Sequence, residues 1–263
     1  EEVITPQIFD NELWRKSGHW EHFSEYMYNF ELGERDLSLK PMNCPGHTLI
    51  YSSDLRSYRD LPLRFADFGR LHRYEKAGVL SGLTRVRSFS QDDAHIFCTP
   101  EQIGSEISHL LKMVHEVYEV FDFTESKITL STRPEKAMGD EKLWDNAETI
   151  LKETLENSGA DFDIDEGEGA FYGPKIDFNV KDALGRLHQL ATIQLDFTLP
   201  ERVDLTCVDE DGNEKRPVMI HRAILGSLVR FFGVYLGHCA GKFPLRLAPV
   251  QAAVLSVSYK AEE

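Results

Sequence analysis

The stretch KPMNCPGH, residues 40–47, sets Cys44 between two prolines and a glycine, with His47 three positions on. A thiol and an imidazole so placed could share a metal ion, but a lone cysteine can equally be a small buried hydrophobe or a reactive thiol. A second concentration of chemistry spans FGRLHRYEKAG and TRVRSFSQDDAHIF, which hold Arg70, Arg73, Arg85 and Arg87 on two expected strands joined by a loop. Guanidinium forks match phosphate oxygens bidentately, so four of them in a chain otherwise rich in acid point to a polyphosphate cradle. The plainer alternative is surface arginines paired to neighbouring carboxylates. FYGPK adds an aromatic hydroxyl and a lysine just before a strand. HRAILGSLVRF, expected to be helical, adds His221, the small residues Gly226 and Ser227, and Arg230.

Three other patterns lead nowhere. Asp67-Phe68-Gly69 spells the magnesium motif of kinases without the HRD…N loop and VAIK lysine that belong with it. GEGAFYG, residues 167–173, resembles a phosphate-cradling glycine loop, yet its spacing is GxGxxxG and a β-rich stretch follows instead of a helix. No HExxH or related zinc-hydrolase spacing occurs.

These residues need elements to bring them together. EVITPQIF begins as a short strand that breaks at Pro6, and DNELWRKSGHW reads as a helical turn capped by Asp10 with Gly18 past its end. Leu49, Ile50, Leu55 and Tyr58 suit a helix from Pro45 to Leu61. Residues 62–75 alternate as a strand, KAGVLSGL forms a loop, and TRVRSFSQDDAHIF forms a second strand. Thr99-Pro100 is a cap and first-turn pair for a helix whose stripe is Ile103, Ile107, Leu110, Leu111, Val114 and Val117. Another helix covers roughly 141–157 and ends at NSGA; residues 160–207 are β-rich, and EDGN at 210–213 signals a hairpin. A helix is expected over 221–238, and an apolar strand in QAAVLSVS. Hairpins interleaved with helices predict an α+β fold around a mostly antiparallel β-sheet flanked by helices.

With 263 residues the chain can hold one large domain or two small ones, and its 41% hydrophobic and 28% charged residues are those of an ordinary globular protein. No run approaches the ~18 apolar residues of a membrane helix, and EEVITPQIFD lacks the basic and apolar regions of a signal peptide, so a cytoplasmic location is expected. Forty-four acidic against 29 basic residues, a net charge of −15, exclude nucleic-acid binding by bulk electrostatics but not through a local basic patch. The four cysteines, Cys44, Cys98, Cys207 and Cys239, form no CxxC pair, which argues against a disulfide framework.

Taken in order, MNCPGH, HRYE, TRVRSFSQDDAHIF, STRPEK, GEGAFYGPK, QLDF and MIHRAILGSLVRF resemble the catalytic core of the threonyl-tRNA synthetase family, within the class II aminoacyl-tRNA synthetases. The resemblance extends from about Glu1 to Val250. EVITP resembles the tail of motif 1; HRYE resembles the FRxE of motif 2, with Arg73 as its arginine; GSLVRF resembles motif 3, with Arg230 as its arginine. The long helix that opens motif 1, the N-terminal editing region and most of the anticodon-binding domain have no counterpart among the matched strings. The expected organisation is a catalytic domain over 1–245 and a linker with the stub of an anticodon-binding domain over 246–263.

The resemblance implies ATP-dependent activation of L-threonine to threonyl-adenylate and its transfer to the 3′ end of tRNA(Thr), with a homodimer in the full-length family. It implies one zinc ion per chain held by Cys44, His95 and His221, ligands 51 and 126 residues apart that short-spacing rules would never assemble. His47 is then a structural or substrate-side neighbour. By the same resemblance Arg73 holds the α-phosphate with Lys175 as a second cation, and Arg85 and Arg230 engage the β- and γ-phosphates with Mg2+. Phe89 stacks under adenine, and Glu75, Gln189 and Thr192 complete the ATP site. Met42, Gln91, Asp93, Tyr172 and Ser227 surround threonine, with Asp93 taking its hydroxyl, and His19 lies beside the attacking tRNA hydroxyl. Two other readings compete: a synthetase-like paralogue that binds amino acid or RNA for regulation, and a seryl or prolyl member of the same subclass. A complete phosphate cradle speaks against the first, and the Cys/His/His set against the second.

Overall fold

A computed structural model describes residues 1–123, 126–255 and 257. The first strands, β1 (Ile8–Asp10), β2 (Tyr28–Leu32) and β3 (Arg35–Leu39), form a small antiparallel sheet of order β1-β3-β2. Between them lie α1 (Asn11–Lys16), with the Asp10 side chain accepting from the Glu12 N–H, and α2 (His19–Phe23), entered through left-handed Gly18. Then α3 (Cys44–Tyr51) begins directly at the cysteine and carries a proline in its first turn. It stops at Tyr51 and not at Leu61 as expected. Leu55 is 99% exposed, so the apolar spacing that suggested a longer helix has no core to face.

The expected strand over 62–75 is two strands, β4 (Leu63–Asp67) and β5 (Arg70–His72), interrupted at Phe68-Gly69. Both pair with the long strand β6 (Ser88–Cys98). Thr99 and Gln102 form a reciprocal capping box that leads into α4 (Ile103–Val120). β7 (Ser126–Ser131) precedes α5 (Glu141–Ser158), which is capped by Asp140 and closed by left-handed Gly159. β8 (Phe162–Asp165), β9 (Lys175–Lys181) and β10 (Leu187–Asp196) follow. The short α6 (Thr198–Arg202) and the hairpin β11 (Cys207–Val208) and β12 (Glu214–Lys215) lead to β13 (Val218–Ser227) and α7 (Leu228–His238).

The helix expected over 221–238 is therefore a strand up to Ser227 and a helix only beyond it. Apolar residues on both sides of MIHRAIL suit a strand buried on both faces as well as a helix, and periodicity cannot separate the two. In QAAVLSVS, residues 251–255 form no strand, and most of the rest lies outside the described residues.

The main sheet has the order β4-β6-β13-β10-β9-β7-β8, with β5 on β6; only β7 and β8 pair in parallel. The α+β, mostly antiparallel expectation holds. One face, carrying Ile96, Ile193, Leu195, Ile220 and Ile176, packs against α4 and α5 in the main hydrophobic core. A second core lies under α3 and includes Tyr51, Phe65, Phe97 and Met219. The central strands are covered on one face by helices and on the other by α3 and its neighbours, so polar residues there are withdrawn from water.

Candidate active site and metal centre

Register explains how remote ligands meet. In β6, Gln91, Asp93 and His95 share one face by the two-residue period, and His95 sits directly opposite His221 across the β6–β13 ladder. The two rings lie 4.6 Å apart, edge to face. Gln194 of β10 pairs with His221 on its other side. Cys44, at the start of α3, comes over the sheet from above, and donor atoms of Cys44, His95 and His221 all fall within 4.8 Å of one another. His47, the tempting partner by local spacing, is not in this set.

The donors suit a zinc-type cation. His221 Nε2 lies 2.9 Å from Asp196 Oδ2, which leaves Nδ1 for a metal, the carboxylate–histidine–metal arrangement. Burial, followed by the nearby Asp93 and Asp196 charges, pushes the Cys44 thiol well up; burial, then His221, holds His95 far below its ordinary value and so neutral. A divalent cation at this set would supply the positive charge that a buried thiolate among carboxylates requires. Tyr172 stacks on His221 at 4.7 Å and donates its hydroxyl proton to Gln194.

Two adjoining chambers open over this face. The first, about 270 Å³, is lined by Cys44, His95 and His221 together with Met42, Asp93 and Tyr172. Asn43 Nδ2 donates to Asp93 Oδ2 at 3.0 Å and so aims that carboxylate. The second, about 210 Å³, is lined by Glu75, Arg85, Phe89, Gln189, Ser227 and Arg230, among others. Arg73, Gln91, Thr192 and Gln194 line both. The metal set thus sits in one chamber, the arginines gather in the other, and Arg73 stands at the junction.

The electrostatics of the second chamber are those of an anion site. Arg73 and Arg230 are half-buried, and among the described residues neither lies within 4.0 Å of a carboxylate oxygen. The Arg73 guanidinium lies 5.2 Å over the Phe89 ring and, among the described residues, donates only to the Pro41 carbonyl; Arg230 Nε donates to the Thr84 carbonyl. Two withdrawn cations left without carboxylates in a chain of net charge −15 await an anionic ligand.

Not every candidate falls where sequence spacing put it. Arg70 is exposed on β5, and Arg87 donates to the Glu75 carbonyl over the Tyr74 ring, so neither joins the cradle. Arg85 is paired with Glu75 at 3.1 Å at the rim. Ser227 lines the arginine chamber, where its hydroxyl caps α7 by accepting from the Arg230 N–H, and not the chamber of the metal set. Lys175 lies one layer back, its ammonium donating to Asp177, which also accepts from Gln189 and Thr192. His19 is buried, with Nδ1 2.9 Å from Ser17 Oγ and Nε2 3.9 Å from Cys44 Sγ, beside the metal set. Asp67 of the kinase-like tripeptide is buried against Lys40.

Sequence reasoning missed the residues that hold these side chains: Asn43, Asp177, Asp196 and Asp92. The Asp92 carboxylate accepts from the N–H groups of Ile224, Leu225 and Gly226, and so fixes the irregular end of β13 from which α7 departs. Gly226 is left-handed there, and a Cβ would stand 2.6 Å from the Leu190 carbonyl oxygen. Asp196 lies in QLDF and Asn43 in MNCPGH, strings already singled out, but a supporting role leaves no spacing signature.

Residues 26–239 match the family described as tRNA synthetase class II core domain (G, H, P, S and T), and the chain belongs to that family. Several relatives at 50% identity or more are named for threonine. The threonine–tRNA ligase of Thermotoga neapolitana is 56% identical over 263 residues, all of this chain and 41% of that protein. A crystal structure of the RNA-binding domain of threonyl-tRNA synthetase from Cryptosporidium parvum superposes with a TM-score of 0.90 at 50% identity, over 93% of this chain and 62% of that one. A putative threonyl-tRNA synthetase from Aeropyrum pernix superposes at 0.82 with 38% identity, over 95% of this chain and 58% of its own. The chain thus spans about two fifths of the length of the curated relative it matches. No helix among the described residues is long and apolar enough to cross a membrane.

Proposed function

We propose that the chain is the catalytic core of a threonine–tRNA ligase, which joins L-threonine to AMP and passes the threonyl group to tRNA(Thr). The observation that carries this reading is the junction of the two chambers, where a Cys/His/His donor set and unpaired arginines meet at Arg73. An amino acid in the first chamber has its carboxylate directed toward Arg73, and ATP in the second has its α-phosphate at the same residue. Cys44, His95 and His221 would hold zinc, which when bound would supply a Lewis acid able to take the amino and hydroxyl groups of threonine.

The threonine carboxylate oxygen attacks the α-phosphorus, a new O–P bond forms, and the bond to pyrophosphate breaks. Little covalent work falls to the protein, so positioning and charge stabilisation dominate. Arg73 neutralises charge on the α-phosphate, while Arg85 and Arg230 hold the β- and γ-phosphates of the Mg2+ complex of ATP. Phe89 offers an apolar face for adenine, Glu75 a carboxylate for its amine, and Gln189 and Thr192 reach the ribose or phosphate. Asp93, held by Asn43, accepts the substrate hydroxyl, and Gln91, Met42 and Tyr172 enclose the amino acid. Lys175 acts through Asp177, orienting Gln189 and Thr192. In the second step the tRNA 3′-terminal hydroxyl attacks the adenylate carbonyl, the bond to the phosphate breaks, and the hydroxyl proton goes to the departing AMP phosphate; His19 supports this step from the metal side, behind Cys44.

The test is threonine-dependent ATP–pyrophosphate exchange by the purified chain, before and after chelation. Exchange with threonine that is lost on chelation and restored by Zn2+ is the expected outcome. Robust exchange with proline, or indifference to the chelator, would overturn it.

A further inference from the structure

We propose, resting on that reading, that His47 and Asp67 are positioning residues for the metal centre: His47 accepts the Nδ1–H of His95, so that the remaining ring nitrogen of His95 is the one left for the metal. The Nδ1 atoms of His47 and His95 are 2.7 Å apart, in rings set edge to face with centroids 4.7 Å apart. His47 is 0% and His95 1% exposed, so the contact between the two Nδ1 atoms is shielded and one proton lies between them. The direction of that hydrogen bond decides whether His95 can serve as a ligand. If His95 Nδ1 donates, its Nε2 carries a free lone pair, 3.8 Å from the chamber carboxylate of Asp93. If it accepts, Nε2 carries the proton and is no ligand.

What decides the direction lies one residue further back. The other nitrogen of His47, Nε2, has no hydrogen-bond partner among the described residues and stands 3.8 Å from Asp67 Oδ2. Asp67 is itself fully buried, takes hydrogen bonds from the Thr5 hydroxyl at 2.8 Å and the Thr5 N–H at 3.2 Å, and pairs with the buried Lys40 ammonium at 3.4 Å. A negative charge held at that spot favours the His47 tautomer with its proton on Nε2 and its lone pair on Nδ1. The series Asp67, His47, His95 therefore runs from a buried carboxylate to the metal set with every proton assigned. Asp196 performs the same office for His221 in a single step, at 2.9 Å. The CxxH spacing of KPMNCPGH consequently has a purpose: one turn of α3 presents Cys44 as a ligand and His47 as the partner of a ligand.

The test is zinc affinity of the 263-residue chain, read by competition with a chromophoric chelator, with the Co2+ absorption spectrum as a second signal. His47→Asn places an amide oxygen where Nδ1 was and can still accept from His95; His47→Gln places its amide at Nε2 and leaves His95 without an acceptor. His47→Gln and Asp67→Asn should weaken zinc binding about 10- to 100-fold, and His47→Asn should stay within about threefold of the parent. Thermal melts of the metal-free proteins separate this from lost folding: the His47 pair decides the test because both variants keep a polar side chain of similar size, whereas Asp67→Asn also unpairs Lys40 and is read only below its own metal-free melting temperature. Equal affinity in all variants, or equal loss in His47→Asn and His47→Gln, would overturn the proposal while leaving the metal centre standing. A parent chain that binds no zinc would overturn both.

Discussion

Arg73 is the residue on which both chambers depend. It lines each, lies over Phe89, and faces no carboxylate among the described residues. In the proposed reaction it meets charge that develops on the α-phosphate, so Arg73→Ala should lower kcat/KM for exchange about 10²- to 10³-fold, with Arg73→Lys recovering little because a point charge does not replace a guanidinium fork. Full recovery by lysine would argue that only bulk charge matters there. Selectivity belongs to the same scale. A chamber matched to an amine and a hydroxyl leaves its polar groups unpaired against valine, a mismatch that costs roughly 10⁴-fold or more, whereas serine lacks only a methyl and is rejected by about 10- to 200-fold. Serine should therefore support appreciable exchange and valine almost none; serine at or below valine would sink the chelation argument.

At the scale of elements, the sheet and α3 are tied together by a buried polar knot. Lys40, at the end of β3, and Asp67, at the end of β4, pair without solvent, with Thr5 and His47 against them. Burial by itself would raise the Asp67 carboxyl, but His47, Thr5 and the Lys40 ammonium outweigh it and hold the group well below its ordinary 3.8. A depressed carboxyl contributes stability that is fully present above about pH 4 and is lost as pH falls further. Asp67→Asn leaves the Lys40 charge unpaired and should cost about 3–5 kcal/mol near neutrality. The gap between parent and variant in urea midpoint should then narrow below about pH 4, and a gap constant down to pH 2 would show that Asp67 does not titrate with folding. The end of β13 is a second joint of this kind. Gly226→Ala meets both a left-handed backbone and the Leu190 carbonyl, so it should destabilise the chain by about 1–3 kcal/mol in thermal melts and displace Arg230 with it.

For the whole molecule, charge limits how RNA can be engaged. With a net charge of −15, the chain repels a polyanion over most of its surface, and the half-buried Arg73 and Arg230, without a carboxylate partner among the described residues, stand at the chambers. Binding of a tRNA 3′ end should therefore depend weakly on salt, with a slope of log K against log salt of roughly −2, as for two or three phosphates of a single strand. A slope several times steeper, measured by filter binding from low to moderate salt, would reveal a basic surface that the core does not display.

The sequence alone carried the chemistry types and the class of fold. Arg73, Arg230 and the Cys44, His95 and His221 set were legible because they stand in unbroken strings whose order and spacing resemble a family, and the α4 and α5 stripes because a helix packed on one face needs its apolar residues at helical spacing. Local spacing misled wherever a choice hung on distant partners. KPMNCPGH pointed to His47 as a ligand, and residues 221–227 read as the start of a helix over 221–238, since a strand buried on both faces shows no alternation. Four arginines looked like one cradle, yet two turn away to a backbone carbonyl and to solvent. Only the tertiary structure decided these, because ladder register sets His95 opposite His221, and a hydrogen bond such as that of Asp196 to His221 joins residues that no spacing rule connects. The resemblance named the candidate donors; which nitrogen each histidine would leave for a metal is set by what the fold packs behind it, Asp196 behind His221 and His47 behind His95.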